Sequence, residues 1–526
     1  MQSLASLLLL LFSLASASTQ ATPLRIGTIT IRALDVYSAD EAAHGRFYRI
    51  ADKLHVETRP SVIHKFLLFR EGDPFVPARL EETERNLRGL SFLKSATITA
   101  EPPHDGVVDI MVTTQDAWSL EPESSGGSTG GSGTFGVAVK DNNLMGLGRQ
   151  LSLGFDHGVD RNRAAIDYRD PAFLAPYWRL HLTEARSSDG HEHRLSIGRP
   201  FFSFDDPWAT DFQAVDMIRR DRLYSGGKVS SEFRQEHQEL IAAYGVSIRP
   251  SDARADRVLV GLRAVDDRFG LLPRFHQAGS VALPADRRFR YLFARYTHDT
   301  NDFIKLNYVD RDSRYQDFNL GQSFSAEVAV SPVALGAPGT SELLRISESL
   351  GQRLNDSSFV LASMTAESRL DHGLKNTILS GSARYVHRTE QRRPLATIGR
   401  IAFNRGWQLD RDLQFFADGA TGLRGYRLHS FAGDRSLIAN LEERVYLGRE
   451  LLQLVSPAVA VFVDSGFATD RNPWRSGPKT DAGIGLRFGL PRSPRNLLRL
   501  DFAYALTPDP RGKRGLLISF SSGQAF

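Results

Sequence analysis

From about Trp118 onward, apolar and polar residues alternate with a period of two through a long succession of short segments. In one of the last segments, Leu498 and Leu500 fall on one face of an extended chain, and Arg499 and Asp501 fall on the other. A transmembrane barrel needs strands of this kind, because its outer face meets lipid and its inner face meets water. About 400 residues, at roughly 25 per strand with its connection, predict an antiparallel barrel of about 16 strands.

The alternative fold is a secreted soluble β protein, such as a propeller or a pair of stacked sandwiches, which also alternates. Residues 4–14 form an apolar run followed by small residues, which predicts a signal peptide over residues 1–21. A short buried N-terminal helix is the other interpretation of this run. No later stretch reaches the roughly 18 apolar residues that a membrane helix needs. The exported chain is therefore expected to be either soluble or a barrel.

The last predicted strand favours the barrel. It begins with basic residues, continues through Gly515, and places Ile518 and Phe520 at alternating positions before the sequence closes at Phe526. This arrangement resembles the signal of outer-membrane barrels, in which an exposed final strand is recognised by strand addition. We therefore expect residues 117–526 to form an outer-membrane barrel.

Residues 22–116 differ from the barrel region because they contain helical as well as extended patterns. Two segments have apolar residues at helical spacing, and three are rich in β-branched residues or alternate. The predicted elements are a strand, two helices and two strands, at residues 26–31, 61–69, 78–90, 94–100 and 107–113. The order β-α-α-β-β predicts a small separate domain.

Composition and charge exclude several classes of function. The sequence has no cysteine, so it has no disulfide, no thiol nucleophile and no cysteine-based metal site. Its 65 basic residues are dispersed and its net charge is only +4, which argues against nucleic-acid binding. His191 and His193 stand in a predicted solvated loop without a third ligand nearby, so no metal site is predicted. No Ser/His/Asp arrangement stands out among the 14 scattered histidines, and spacing alone does not identify a catalytic triad.

Several short motifs follow one another along the chain, at residues 80–93, 141–148, 168–171, 423–426 and 462–466. The first looks like part of a POTRA domain. The others resemble, in the same order, an early barrel hairpin, its following turn, the V/I/L-R-G-F/Y loop motif and the F-x-D-x-G strand motif of the BamA/TamA superfamily, the bacterial surface antigen family. The resemblance covers nearly all of the chain after the predicted signal peptide.

The resemblance implies a protein that assembles or translocates other proteins at the bacterial outer membrane, without chemical turnover and without a cofactor, so we do not expect an enzyme. It implies a periplasmic POTRA domain that binds unfolded clients by β-augmentation, contact with the lipid bilayer, and room for periplasmic or lipoprotein partners. The main assembly protein of the superfamily usually has several POTRA domains, whereas about 95 residues here hold one, so an accessory or specialised paralogue is expected. Two other functions remain open, which are a two-partner-type secretion pore for one dedicated substrate and a passive outer-membrane channel.

The resemblance also implies a role for Arg424. Strand parity around residues 437–447 and 461–464 places Glu442 and Asp464 on the inner face of the barrel. A loop folded into the lumen presents Arg424 to both carboxylates, which its planar fork can bridge. The alternative is a solvated external loop, which is the usual place for a loop arginine. The predicted lock between loop and wall comprises Arg424, Gly425, Tyr426, Glu442, Phe462, Asp464 and Gly466.

The first barrel strand is the second predicted functional element. Residues 118–125 are expected to close poorly against residues 516–522, because Pro122 and the glycines that follow weaken a hydrogen-bonded ladder. Such a seam could open sideways into the bilayer and template an incoming strand. For residues 126–133 a flexible linker is an equal alternative. The predicted seam and terminal signal comprise Trp118, Gly515, Ile518, Phe520 and Phe526.

Overall fold

The computed structural model of the chain describes most of the residues that follow the predicted signal peptide. The described residues are 23–36, 56–129, 132–272, 283–310, 314–389, 393–448, 450–451, 455–472, 477–490 and 497–524. The predicted signal peptide and Phe526 lie outside them, so the signal peptide and the role of Phe526 in the terminal signal stay predictions.

The first described elements form a small domain in the order β-α-α-β-β. They are β1 (Arg25–Leu34), α1 (Pro60–His64), α2 (Pro77–Gly89), β2 (Leu93–Ala100) and β3 (Val107–Asp116). In its sheet, β3 lies between β1 and β2, parallel to the first and antiparallel to the second. Both helices begin at a proline, which the first turn of a helix accommodates. The assignment of this domain as a POTRA domain stays a prediction.

The helices of this domain pack on the sheet through one apolar core. Ile63 and Leu87 of the helices and Ile110 of β3 are almost inaccessible to solvent, and each contributes roughly 1.5–3 kcal/mol by burial. α1 is shorter than the predicted helix at residues 61–69, because the chain turns after His64 and brings Phe69 into the same core.

Most of the described residues after Ala117 form one closed antiparallel sheet of 20 strands, in which the last strand pairs with the first. The wall strands are β4 (Leu120–Thr129), β5 (Ser132–Leu144), β6 (Arg149–His157), β7 (Asn162–Asp170), β8 (Arg179–Ser187), β9 (Gly190–Arg199), β10 (Trp208–Ser225), β11 (Lys228–Pro250), β12 (Arg254–Gly270), β13 (Arg287–Thr300), β16 (Ser323–Ser331), β17 (Ser341–Asn355), β18 (Ser358–Leu370), β19 (Leu374–Thr389), β20 (Leu395–Trp407), β23 (Arg435–Tyr446), β24 (Ser456–Thr469), β25 (Lys479–Gly489), β26 (Leu497–Ala505) and β27 (Leu516–Ser522).

The predicted number of about 16 strands is wrong, because the connections are shorter than the prediction assumed. The wall between residues 120 and 522 uses about 20 residues per strand with its connection. For example, Gly226 and Gly227 join β10 to β11 in two residues, and both have the positive φ that such a tight hairpin requires. Since tight turns use few residues, the same length of chain closes a sheet of more strands.

Burial alternates along the wall strands, so the barrel has an apolar outer face and a largely polar inner face. In β23, Leu437 and Leu441 are exposed, whereas Asn440 and Glu442 are buried. The lumen is filled by polar side chains and by small apolar clusters, such as the one around Tyr291 and Phe293 of β13. No helix in the described part of the chain is long and apolar enough to cross a membrane.

The N-terminal domain contacts the turns at one end of the barrel, which we call the domain end; the opposite end is the far end. Arg88 of α2 forms two hydrogen bonds to the carboxylate of Asp317, at 3.0 and 2.6 Å. Arg79 forms an ion pair with Asp205 at 2.6 Å, and Asn86 donates a hydrogen bond to the carbonyl of Phe202 at 3.0 Å. These contacts fix the domain against the barrel.

Two hairpins outside the wall enter the barrel from its two ends. β14 (Phe303–Leu306) and β15 (Gln316–Asn319) lie between β13 and β16 at the domain end. Val309 of this segment reaches the lumen, where its carbonyl accepts a hydrogen bond from Arg444 at 2.7 Å. β21 (Phe415–Ala417) and β22 (Phe431–Gly433) lie between β20 and β23 at the far end.

Candidate functional site: the lumen loop and the barrel seam

Residues 408–434, which connect β20 to β23 and include β21 and β22, form the lumen loop. Its fold depends on Asp418, whose backbone carbonyl accepts hydrogen bonds from the N–H groups of Thr421, Gly422 and Leu423. The carboxylate of Asp418 accepts a further bond from the N–H of His429 at 2.7 Å, which joins the two arms of the loop. Asp418 was not among the predicted site residues, although an aspartate before Gly-Ala-Thr-Gly is typical of a side-chain-capped turn.

The lumen loop brings Arg424 to the inner wall, where it contacts both carboxylates. Its Nε and Nη2 donate to the two oxygens of Asp464 at 2.8 and 2.9 Å, and its Nη1 donates to Glu442. The guanidinium carbon lies 3.4 Å from the centre of the Phe462 ring. The side chain of Arg424 is 3% exposed, and those of Glu442 and Asp464 are fully buried. The structure therefore places Arg424 in the barrel lumen and not on a solvated external loop.

Further charged residues of the wall join Arg424, Glu442 and Asp464 in a larger group, which we call the charged cluster. Glu442 also accepts from Arg444 at 2.7 Å and from Arg487 at 3.3 Å, and Arg487 donates to Asp501 at 2.6 Å. Arg444, Arg487 and Asp501 are almost completely buried. No role was predicted from the sequence for Arg444, Arg487 or Asp501. Their inward strand parity was the available signal.

Glycines and an aromatic residue fit the lumen loop closely to the wall. A Cβ atom on Gly425 would lie 2.5 Å from the Cβ atom of Asp481, so a larger residue does not fit there. Gly466 has a different role, because it lies in the wall and not in the loop: a Cβ atom there would lie 2.4 Å from the carbonyl oxygen of Leu437 across the β23–β24 ladder. Tyr426 is buried, and its hydroxyl lies 2.9 Å from the carbonyl oxygen of Thr480. The loop thus contacts β23, β24 and β25 through backbone as well as charge.

The seam between the first and last wall strands is short. Only residues 126–128 of β4 pair with β27, opposite Ile518–Phe520 in antiparallel register. On the edges that face away from the seam, β4 pairs with β5 over ten positions and β27 pairs with β26 over seven. Within the described residues, positions 122–125 of β4 pair with β5 and have no ladder partner in β27. This stretch lies toward the domain end of the barrel.

The structure corrects two expectations about this seam. Residues 118–125 were expected to close against the last strand, but the pairing residues are 126–128. The interpretation of residues 126–133 as a linker is wrong for 126–129 and 132–133, which lie in β4 and β5. Trp118 precedes β4 and is half-buried, and Gly515 precedes β27. Ile518 and Phe520 lie in the paired part of β27.

A buried carboxyl group lies at the interface between the N-terminal domain and the barrel. Glu82 of α2 is 6% exposed, and its carboxylate accepts a hydrogen bond from the N–H of Phe204 at 3.0 Å. Loss of solvent at this position raises the pKa of Glu82 to about 7. The attachment of the domain to the turn at residues 200–207 therefore includes a group that titrates near neutral pH.

The expectation for His191 and His193 needs correction. Both residues lie in β9 and not in a loop. Asp216 of β10 lies close to both of them, although it is remote in sequence. The sequence analysis missed this proximity because the register between β9 and β10 is not readable from either strand alone.

The closed sheet, its apolar outer face and its charged, loop-filled lumen define an outer-membrane β-barrel. The Omp85 superfamily domain matches residues 143–526, and the chain belongs to this superfamily. Among proteins of curated function, none matches the chain by sequence. Omp85 membership supports protein assembly or translocation at the bacterial outer membrane as the general function.

Several solved structures are similar to this chain over most of its length. BamA from Haemophilus ducreyi lacking POTRA domains 1–3 has 13% sequence identity and a TM-score of 0.40, with 94% of this chain and 84% of that chain covered. CdiB from Acinetobacter baumannii has 14% identity and a TM-score of 0.48, with 95% and 74% covered. CdiB from Escherichia coli has 12% identity and a TM-score of 0.44, with 97% and 92% covered. Because these sequence identities and TM-scores are low, the assignment to the superfamily comes from the match of the Omp85 superfamily domain to residues 143–526.

Proposed function

We propose that this protein inserts or translocates client proteins through a seam between β4 and β27 that opens sideways into the outer membrane. The N-terminal domain acts as a periplasmic POTRA domain and binds unfolded client segments by strand addition at β1 or β2, the edge strands of its sheet. Arg424, Glu442 and Asp464 hold the lumen loop against the wall while clients pass. The function involves no chemical turnover and no cofactor.

The observation that carries this proposal is the short ladder at the seam. Three residues of β4 pair with three residues of β27, whereas the flanking ladders are more than twice as long. Pro122 lies in the stretch of residues 122–125, which has no ladder partner in β27, and proline has no N–H to donate to a ladder. Since each missing ladder bond leaves backbone groups available, this edge can accept a client strand.

A disulfide across the seam tests the proposal. The chain has no cysteine, so Gly127→Cys with Ser519→Cys introduces one pair at directly opposed positions. In proteoliposomes supplied with an unfolded outer-membrane client, we expect the oxidised pair to lower client insertion at least tenfold and a reductant to restore it. Full activity of the oxidised, crosslinked protein would contradict lateral opening.

The matched control is Ala503→Cys with Leu517→Cys, which are opposed in the ordinary ladder between β26 and β27. This crosslink leaves the seam free, and we expect it to leave client insertion unchanged. If both crosslinks inhibit equally, the inhibition comes from general stiffening of the barrel and not from the seam.

Gene deletion followed by proteomics of the outer membrane and the medium separates the three functions considered for the chain. Loss of several barrel proteins from the membrane supports an assembly factor. Loss of one secreted protein supports a two-partner-type secretion pore. An unchanged proteome, together with a large open-channel conductance of the purified protein, supports a passive channel and contradicts the proposal.

A further inference from the structure

A row of polar side chains lies on the outer face of the barrel, immediately beyond its apolar band. The row runs across four strands in register and consists of Glu184, His193, Asp216 and Gln238. The next row toward the domain end occupies the same face and consists of Leu182, Leu195, Ala214 and Leu240. Because side chains alternate across a strand and Leu182 and Leu240 are exposed on the outer face, the polar row faces outward as well.

Three side chains in and beside this row lie close enough together to reach one metal ion after side-chain rotation. His191, His193 and Asp216 each place one ligand atom within 4.8 Å of those of the other two. Nε2 of His191 lies 3.4 Å from Oδ2 of Asp216. Two ligands on one tetrahedral Zn²⁺, with bonds of about 2.0–2.1 Å, are about 3.4 Å apart. This pair therefore already has the separation that a shared ion requires.

The neighbouring residues hold two of these side chains in orientations that suit metal binding. Nδ1 of His193 is hydrogen-bonded to the carboxylate of Glu184, which orients the ring and leaves Nε2 as the nitrogen that can bind a metal ion. Carboxylate partners of this kind are typical of histidines that bind metals. Gln238 donates to Oδ1 of Asp216 at 3.0 Å, which leaves Oδ2 toward His191.

The local charge also favours a cation. Glu184 and Asp216 contribute two negative charges, and Arg186, which lies opposite His191, contributes one positive charge. The backbone frame is fixed by the β9–β10 ladder, in which His193 and Asp216 are directly opposed. Little rearrangement is therefore needed beyond side-chain rotation.

We propose that His191, His193 and Asp216 bind one divalent transition-metal ion of the zinc class on the outer face of the barrel. Two imidazole nitrogens and one carboxylate oxygen suit Zn²⁺ better than Mg²⁺ or Ca²⁺, which prefer oxygen ligands only. Three protein ligands leave the fourth position open to the surroundings of the barrel. The site is separate from the lumen loop and from the seam.

Direct metal titration of the full chain in detergent tests this proposal. After treatment with a chelator, Zn²⁺ is titrated in competition with a chromogenic chelator, and folding is checked by heat-modifiable migration in gels. We expect one Zn²⁺ per chain, at least tenfold weaker binding in His193→Ala, and about 10–100-fold weaker binding in Glu184→Gln. With Co²⁺ in place of Zn²⁺, the visible absorption of a four-coordinate ion is expected in the unmodified protein and not in His193→Ala.

The matched control is Glu192→Gln, which lies between the two histidines in sequence. Glu192 faces the other side of β9 and pairs with Arg163 and Arg194, so its replacement is expected to leave the affinity for Zn²⁺ unchanged. The proposal is overturned if the unmodified protein binds no Zn²⁺ or if folded His193→Ala binds it as tightly. Equal weakening in Glu192→Gln also overturns it, because the effect then comes from the strand and not from the ligands.

Discussion

Replacement of Arg424 by alanine leaves one buried carboxylate, that of Asp464, without its ionic partner. Glu442 keeps its bonds to Arg444 and Arg487 in this variant. Asp464 loses both of its short bonds to the guanidinium and keeps the amide of Asn440, at 2.8 Å. Since Asp464 is fully buried, removal of its partner is expected to cost about 3–5 kcal/mol, and less if water enters the lumen.

This loss of stability raises the population of the state in which the lumen loop is released from the wall. At 1.4 kcal/mol per tenfold, a loss of 3 kcal/mol raises the population of the released state roughly 100-fold. Ser430 of the loop is 4% exposed, so Ser430→Cys provides a nearly isosteric and buried reporter in a chain without other cysteines. We expect its reaction with a membrane-impermeant maleimide to accelerate by about this factor in Arg424→Ala, and the urea midpoint of the barrel to fall.

Two controls make this experiment decisive. Arg427→Ala changes a half-buried arginine of the same loop outside the charged cluster and is expected to leave labelling unchanged. Arg424→Ala combined with Asp464→Asn removes the unpaired negative charge on residue 464 and is expected to recover about 1–3 kcal/mol of the stability that Arg424→Ala alone loses. If Arg424→Ala labels at the original rate and keeps its urea midpoint, Arg424 does not lock the loop.

Two further predictions concern the packing of Gly425 against the wall and the pH dependence of the contact between the N-terminal domain and the barrel. Gly425→Ala forces a Cβ atom against Asp481 and is expected to cost about 1–3 kcal/mol in urea unfolding, whereas Gly515→Ala, which has open space around it, serves as a neutral control. Because burial raises the pKa of Glu82 to about 7, the domain is expected to attach most firmly below about pH 4.5 and more weakly as the pH rises through 7. Exchange protection of the Phe204 amide, corrected for intrinsic rates, is expected to lose this pH dependence in Glu82→Gln; a dependence that persists refutes the assignment.

Local patterns in the sequence predict the type of each element well but not the closure of the sheet. Alternation identifies the strands, because a wall with lipid on one side and polar contents on the other imposes it on every strand. The number of strands depends on turn lengths, and hairpins as tight as Gly226-Gly227 are much shorter than the connections that an average estimate of about 25 residues per strand assumes. Glycine-rich residues 126–129 look like a linker because their extended conformation comes from pairing with β5, not from their own propensity.

The lumen site was predictable only where strand parity and a loop motif combined. Arg424, Glu442 and Asp464 could be proposed together because two carboxylates of inward parity face a loop arginine. Asp418, Arg487 and Asp501 were missed, since their partners depend on the path of the loop and on the order of strands around the barrel. The same reason explains the missed proximity of Asp216 to the two histidines.

The charged cluster divides into two parts with different partners. Glu442 is shared by three arginines, of which Arg444 also holds Val309 of the domain-end segment and Arg487 also holds Asp501. Asp464 depends on Arg424 alone among the described cations. Release of the loop therefore removes the arginine bonds of Asp464, whereas Glu442 loses one of its three arginines and keeps Arg444 and Arg487. A loop that can detach while the barrel stays intact is what a releasable lock requires, and this asymmetry separates it from a uniformly paired structural core.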